Sequence, residues 1–138
     1  MSKVSLEPYL FFKGECREAM EFYKSVFGGE LEISDADPAQ MGDMPNKEWF
    51  KGKVMHASLK GPVNLMASDS MQASDKAAKV ELSLGGTDES AMRELFDKLA
   101  KGGTVKMPLE KQFWGDVYGQ LTDKYQIEWM MNIGEGMG

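Results

Sequence analysis

Apolar and β-prone residues crowd the stretch at 4–12, which predicts a first strand. From Glu15 the period lengthens. Cys16, Ala19, Met20, Tyr23, Val26 and Phe27 recur at helical spacing, while Arg17, Glu18, Glu21 and Lys24 take the other face, so a helix is expected over 15–27. Gly28 and Gly29 stop it, because glycine accepts the left-handed conformation of a helix C-terminus. A short strand at 30–34 follows. The segment at 35–52 reads as a long polar loop with Pro38, Gly42 and Pro45. Loops of this size are either functional or tolerated surface insertions, and both readings stand. Trp49 and Phe50 near its end are apolar enough to fold back over something. Strands at 53–60 and 63–68, joined at Gly61 and Pro62, read as a tight hairpin.

After a small, polar stretch at 69–78 the pattern restarts. A strand is expected at 79–85, then a helix over 89–101 capped by Thr87 or Asp88, with Met92, Leu95, Phe96 and Leu99 as its apolar stripe. Gly102 and Gly103 stop it. A short strand at 104–107, a loop at 108–113 and two strands at 114–122 and 126–133 close the chain. The halves match element by element, and the two Gly-Gly pairs stand 74 residues apart. The alternative is a chance match between two α+β halves. We read one α+β domain, 1–138, built from a βαβββ unit used twice, with modules 1–68 and 79–138 and a linker at 69–78.

Side chains alternate faces along a strand, which sorts each one into two sets. Met55, Ala57 and Leu59 oppose His56 and Ser58; Val63, Leu65 and Ala67 oppose Asn64, Met66 and Ser68. In the second half Val80, Leu82 and Leu84 oppose Lys79, Glu81 and Ser83. Val117 and Leu121 oppose Asp116, Tyr118, Gln120 and Thr122, and Ile127, Trp129, Met131 and Ile133 oppose Gln126, Glu128, Met130 and Asn132. The purely apolar sets suit the helix stripes. The other sets mix a few polar groups with Met and Tyr, as in a cupped sheet around a ligand. The competing reading is an open, half-exposed antiparallel sheet.

Composition narrows the chemistry. One Cys excludes an internal disulfide and any multi-Cys zinc site, and one His excludes a site with two histidines from one chain. A net charge of −6 argues against a nucleic-acid partner. No apolar run reaches membrane-spanning length, so no membrane partner is expected. Residues 1–7 lack a signal-peptide pattern, and with a lone thiol the expected location is cytoplasmic. Cys16 falls on the buried helix stripe, where a core role outweighs nucleophilic catalysis. Trp114, at the start of its predicted strand, reads either as the floor or gate of a pocket or as a buried wedge.

The stretch PYLFFKGECREAMEFYKSVFGGEL, residues 8–31, resembles the opening of the glyoxalase/bleomycin-resistance/extradiol dioxygenase (vicinal oxygen chelate) superfamily. VMHASLKG at 54–61 and FWGDVYGQLTDKYQIEWMMNI at 113–133 are similar to its PhnB-like branch, with a Trp-Gly-Asp, an aromatic-Gly step, a Thr-Asp turn and a late Trp. The resemblance implies a glyoxalase-like fold of cupped mixed sheets with helices on the outer face. It also implies a homodimer, often with exchanged modules. Metal-dependent members carry four ligands, which the resemblance lays at about Pro8, Met66, Lys79 and Met130. None is a usual ligand for a hard or borderline divalent metal. A divalent metal on His56, Glu81 and Glu128 is the alternative to having no cofactor. Some PhnB-like sequences carry a ubiquinone-methyltransferase label, but the chain shows no S-adenosylmethionine motif to support it.

Three functions compete. One is binding of a small-molecule ligand without the family's metal ligands, with His56, Met66, Glu81, Trp114, Tyr118, Glu128 and Met130 as candidate binding residues. Another is a lyase, isomerase or dioxygenase acting on a small oxygenated substrate, with a metal or with His56 or a carboxylate as base. The last is an interaction protein with a vestigial cavity.

Overall fold

The computed structural model describes residues 6–73 and 80–134, in two compact units, Met1–Ser74 and Asp75–Gly138. In the first, β1 (Tyr9–Phe12) leads into α1 (Cys16–Phe27), followed by β2 (Glu30–Asp35), β3 (Val54–Lys60) and β4 (Leu65–Asp69). The sheet order is β1-β4-β3-β2, with β1 parallel to β4 and the other pairs antiparallel. The second unit runs β5 (Leu82–Gly86), α2 (Glu89–Ala100), β6 (Thr104–Lys111), β7 (Val117–Thr122) and β8 (Glu128–Ile133). Its order is β5-β8-β7-β6, again with the first and last strands parallel. The same strand–helix–three-strand topology therefore occurs twice, in the α+β class that the repeat predicted.

Each sheet buries one face against its own helix. All six predicted stripe residues of α1 are buried, against β2, β3 and β4. Their partners are the inward set Leu10, Phe12, Ala57, Leu59, Leu65 and Ala67. In the second unit Met92, Phe96 and Leu99 of α2 are buried, as are Leu121, Trp129, Met131 and Ile133 of the sheet; Leu95 is half-buried. Asp88 is the cap of α2, accepting a hydrogen bond from the Ala91 N–H at 3.1 Å. The surface pairs Arg93–Glu89 and Lys98–Glu94 sit one helical turn apart and contribute little in water.

Several expectations change. The first strand begins at Tyr9; Val4 and Ser5 lie outside the described residues, as do 74–78 of the expected linker and Lys79. The loop after β2 holds two short 3₁₀ turns, Pro38–Gln40 and Lys47–Phe50, the first capped by Asp37. Trp49 and Phe50 are half-buried and meet edge to face at 5.0 Å. A register shift opposite Ser34 and Asp35 inserts Met55 as an extra residue in β3, so Met55 is 47% exposed and Val54 takes the inward place. Strand β4 starts at Leu65, not Val63. Asp69, expected to open the linker, ends β4 and is buried. Strand β6 runs on through Pro108 to Lys111, where a loop was expected. It is an edge strand with irregular register between Met107 and Glu110, so the missing proline N–H breaks no regular ladder. Val80 lies before β5 and is exposed, and Gln126 sits in a turn before β8 at φ 74°.

Candidate functional site

Two buried aspartates brace the strands. Asp69 Oδ1 accepts the Gly14 and Cys16 N–H groups at 2.9 Å each, and its Oδ2 accepts the Val54 N–H at 2.9 Å. One carboxylate thus ties β4 to the start of α1 and of β3. Asp123 Oδ1 accepts from the Tyr125 and Ile127 N–H groups, and Oδ2 accepts the Trp129 indole N–H at 2.8 Å. The Thr-Asp turn and the late Trp of the closing motif are therefore joined by one hydrogen bond. Asp116 of the Trp-Gly-Asp is also buried and accepts from Asn132 Nδ2 at 2.9 Å. These motif residues hold the scaffold.

The second sheet's face away from α2 carries the densest polar arrangement. Gln120 Nε2 donates to the Tyr118 hydroxyl at 2.9 Å, and that hydroxyl donates to Met130 Sδ at 3.6 Å. Gln120 and Met130 are cross-strand neighbours, as are Tyr118 and Asn132. Lys106 Nζ donates to Glu128 Oε1 at 2.6 Å, and the Glu128 side chain is only 13% exposed. The Glu128 hydrogen bond is the main cause raising the Lys106 pKa above its ordinary 10.5. Partial desolvation opposes it, and the negative charges of Glu81 and Glu128 add to it. Lys106 thus stays an ammonium paired with Glu128. The Trp114 ring lies 6.0 Å from that of Tyr118, on the turn before β7 and not within the strand where it was expected. It is 37% exposed, so it is neither a buried wedge nor free of the sheet.

His56 and Met66 lie on the first sheet's face away from α1. Tyr9 is the neighbour of Met66 across β1 and β4, and its hydroxyl shares a 3.3 Å hydrogen bond with His56 Nδ1. The rings of Phe11, Tyr9 and His56 follow one another at 5.0 and 5.9 Å. A separate cavity of about 300 Å³ is lined by Phe11, Ser70, Gln72 and Ala73, none of them a predicted site residue.

The structure thus gathers Trp114, Tyr118 and Met130 into one contact chain and pairs Glu128 with Lys106, while Glu81 lies just before β5. His56 and Met66 belong to the other unit. Lys106 and Gln120 complete the second face and were not among the predicted site residues. Gln120 was legible from strand alternation; Lys106 was not, because irregular register in β6 decides its direction. Tyr9 was missed because its predicted strand had no sorted faces.

The superfamily's metal positions do not fit a metal here. Pro8 has no side-chain donor, and Met66 and Met130 offer soft thioethers, with that of Met130 already accepting from Tyr118. Among the described residues no group of three His, Cys, Asp or Glu that could hold a metal ion is found; of the alternative set, Glu81 and Glu128 belong to the second unit and His56 to the first.

Comparison with known proteins agrees with this architecture. Residues 4–132 match the family described as 3-demethylubiquinone-9 3-methyltransferase. The protein PA1353 from Pseudomonas aeruginosa is 35% identical, with a TM-score of 0.77 over 95% of this chain and 98% of its own. A PhnB protein from Bacillus cereus, a putative 3-demethylubiquinone-9 3-methyltransferase, is 28% identical, with a TM-score of 0.73 over 95% and 100%. The Listeria monocytogenes fosfomycin resistance protein FosX, solved with Mn(II) and sulfate, shares the fold at 10% identity and a TM-score of 0.66 over 99% and 96%. The chain belongs to the PhnB-like family described as 3-demethylubiquinone-9 3-methyltransferase.

Proposed function

We propose that this protein binds a small organic molecule on the second sheet's face away from α2, without the superfamily's metal ligands. The observation that carries this reading is the Lys106–Glu128 ion pair beside the hydrogen-bonded Gln120–Tyr118–Met130 chain. Placed polar groups beside an aromatic ring and a thioether are features that ligand sites present. The Trp114 ring beside Tyr118 supplies an aromatic wall.

The test is an amide-resolved NMR titration against small oxygenated metabolites and aromatic compounds. Saturable shifts at Trp114, Tyr118 and Lys106 are expected for at least one compound class. No response from any class, or shifts confined to the first sheet, would overturn the reading.

A second reading is favoured by one observation, the Tyr9–His56 hydrogen bond. An imidazole and a phenol in contact can pass a proton, as a lyase or isomerase acting on a small oxygenated substrate requires. Loss of turnover in His56→Gln with ligand binding retained would favour it.

We also propose a homodimer in the cytoplasm. The family resemblance supports this reading, and the exposed rings of Phe11 (57%), in contact with Tyr9, and of Phe113 (97%), in contact with Trp114, are surfaces a second copy could cover.

A further inference from the structure

The cavity of about 300 Å³ in the first unit has an aromatic wall, a fastened turn and no charged lining residue. One side is the Phe11 ring, which is 57% exposed. Strand alternation sends Leu10 and Phe12 into the core, so Phe11 and Tyr9 point away from α1. The Tyr9 ring stands 5.0 Å from that of Phe11, and the Tyr9 hydroxyl is tied to His56, so the pair forms one braced aromatic surface. The other side is the turn after β4. The Ser70 N–H donates to the Phe12 carbonyl at 2.7 Å, which fastens this turn to the end of β1. The Ser70 hydroxyl accepts the Gln72 N–H at 3.1 Å, and the Ala73 N–H donates to the Ser70 carbonyl at 3.3 Å, so residues 70–73 close on themselves. Two polar groups are left over. The Ser70 hydroxyl proton and the exposed Gln72 side-chain amide have no hydrogen-bond partner among the described residues.

We propose that this cavity binds an uncharged, single-ring aromatic compound carrying an amide group. Size sets the first limit. A volume of about 300 Å³ is at the small end for ligand pockets and leaves room for one ring with a short substituent. The rings of Phe11 and Tyr9 set the second, because exposed aromatic faces and edges gain most from a flat aromatic partner. Charge sets the third. Phe11, Ser70, Gln72 and Ala73 carry none, so a carboxylate or ammonium would give up water without gaining an opposite charge. The Ser70 hydroxyl and the Gln72 amide instead offer neutral donors and an acceptor, which match the C=O and N–H groups of an amide. All four lining residues belong to the first unit, so this site stands or falls independently of the one proposed around Lys106 and Glu128.

Amide-resolved NMR titration with benzamide, cyclohexanecarboxamide and benzoate decides it, since these three differ in aromaticity or charge at similar size. Saturable benzamide shifts at Phe11, Ser70, Gln72 and Ala73 are expected, with affinity about tenfold above that of cyclohexanecarboxamide. Benzoate is expected to give no response there. Phe11→Leu keeps apolar bulk and removes the ring; it is expected to erase the preference for benzamide. Phe113→Leu removes an exposed ring from the second unit and is expected to leave benzamide binding unchanged. Thermal melting confirms that each variant is folded. Gln72→Ala, an exposed turn position that keeps its backbone N–H, is expected to weaken benzamide even where Phe11→Leu fails to fold. Equal affinities for benzamide and cyclohexanecarboxamide, or equal weakening by the two Phe variants, would overturn the proposal. Silence of the four lining residues with every probe would also overturn it. So would dissociation of a dimer by Phe11→Leu without benzamide shifts, because a second copy would then be the occupant. Benzamide shifts at Trp114, Tyr118 and Lys106 alone would remove this site and leave the second sheet's reading intact.

Discussion

Asp69 carries three backbone N–H groups that have left water, from Gly14, Cys16 and Val54. Replacing it by Ala strands those donors, and a buried orphan donor costs about 1–3 kcal/mol. Asp69→Ala is expected to lose at least about 3 kcal/mol in urea unfolding, and Asp69→Asn less, because one acceptor oxygen remains. Cys16 beside it is fully buried, and burial, reinforced by the Asp69 charge and opposed by Arg17, pushes its thiol from 9.0 up to about 12. The folded chain therefore keeps this proton where the unfolded chain releases it. The stabilisation is complete below about pH 9 and is lost as pH rises from there toward 12. Comparing unfolding free energies at about pH 8 and about pH 10, wild type should lose about 1 kcal/mol more than Cys16→Ala. Equal slopes would contradict it. Asp123 and Trp129 form the matching brace in the second unit, and Trp129→Phe, which removes one donor to a buried carboxylate, should cost about 1–3 kcal/mol.

At the scale of elements, the two Gly-Gly pairs do more than stop helices. Gly28 closes α1 at φ 78°, its N–H donating to the Lys24 carbonyl at 2.8 Å, and nothing lies within 4 Å of where a side chain would start. Gly29 and Gly103 are tighter: a Cβ there would meet the Lys60 carbonyl oxygen at 2.6 Å and the Thr122 carbonyl oxygen at 2.2 Å. The second glycine of each pair lets the outgoing strand lie against its neighbour's backbone. Gly103→Ala should therefore cost more than about 3 kcal/mol, and Gly28→Ala about 2 kcal/mol, because its φ of 78° with ψ of −170° is a region essentially reserved for glycine. Chemical denaturation of the two variants measures the difference, and equal losses would mean that helix termination is the whole role. The helices themselves were legible from their 3.6-residue stripes, because burial against a sheet requires a continuous apolar face. Strand ends were not. The Met55 bulge, the passage of β6 through Pro108 and the position of Trp114 outside β7 follow from which strand pairs with which.

For the whole molecule, each unit has its own helix-backed core and leaves the other sheet face half-exposed. Exposed aromatic surface of that kind is usually covered by a partner. Sedimentation equilibrium is expected to give twice the 15.4 kDa chain mass, and a mass of one chain would remove the dimer. Treatment with a chelator is expected to leave the melting temperature unchanged, because Pro8, Met66 and Met130 cannot replace the superfamily's hard ligands. A chelator-induced drop, with stoichiometric metal in the untreated protein, would overturn that.

The sequence by itself determined the repeated βαβββ pattern, the helix stripes, most of the inward strand sets (Met55 and Val80 excepted) and the family, since all of these are periodic or local. It also put Tyr118, Glu128 and Met130 on one sheet face by alternation, whereas Glu81, expected there too, lies before β5. Tertiary structure decided what those residues do to one another. Lys106 reaches Glu128 across 22 positions of chain, Asp69 joins segments as far as 55 positions apart, and the Tyr9–His56 contact spans 47. Strand pairing and register set such distances, and no local period encodes them.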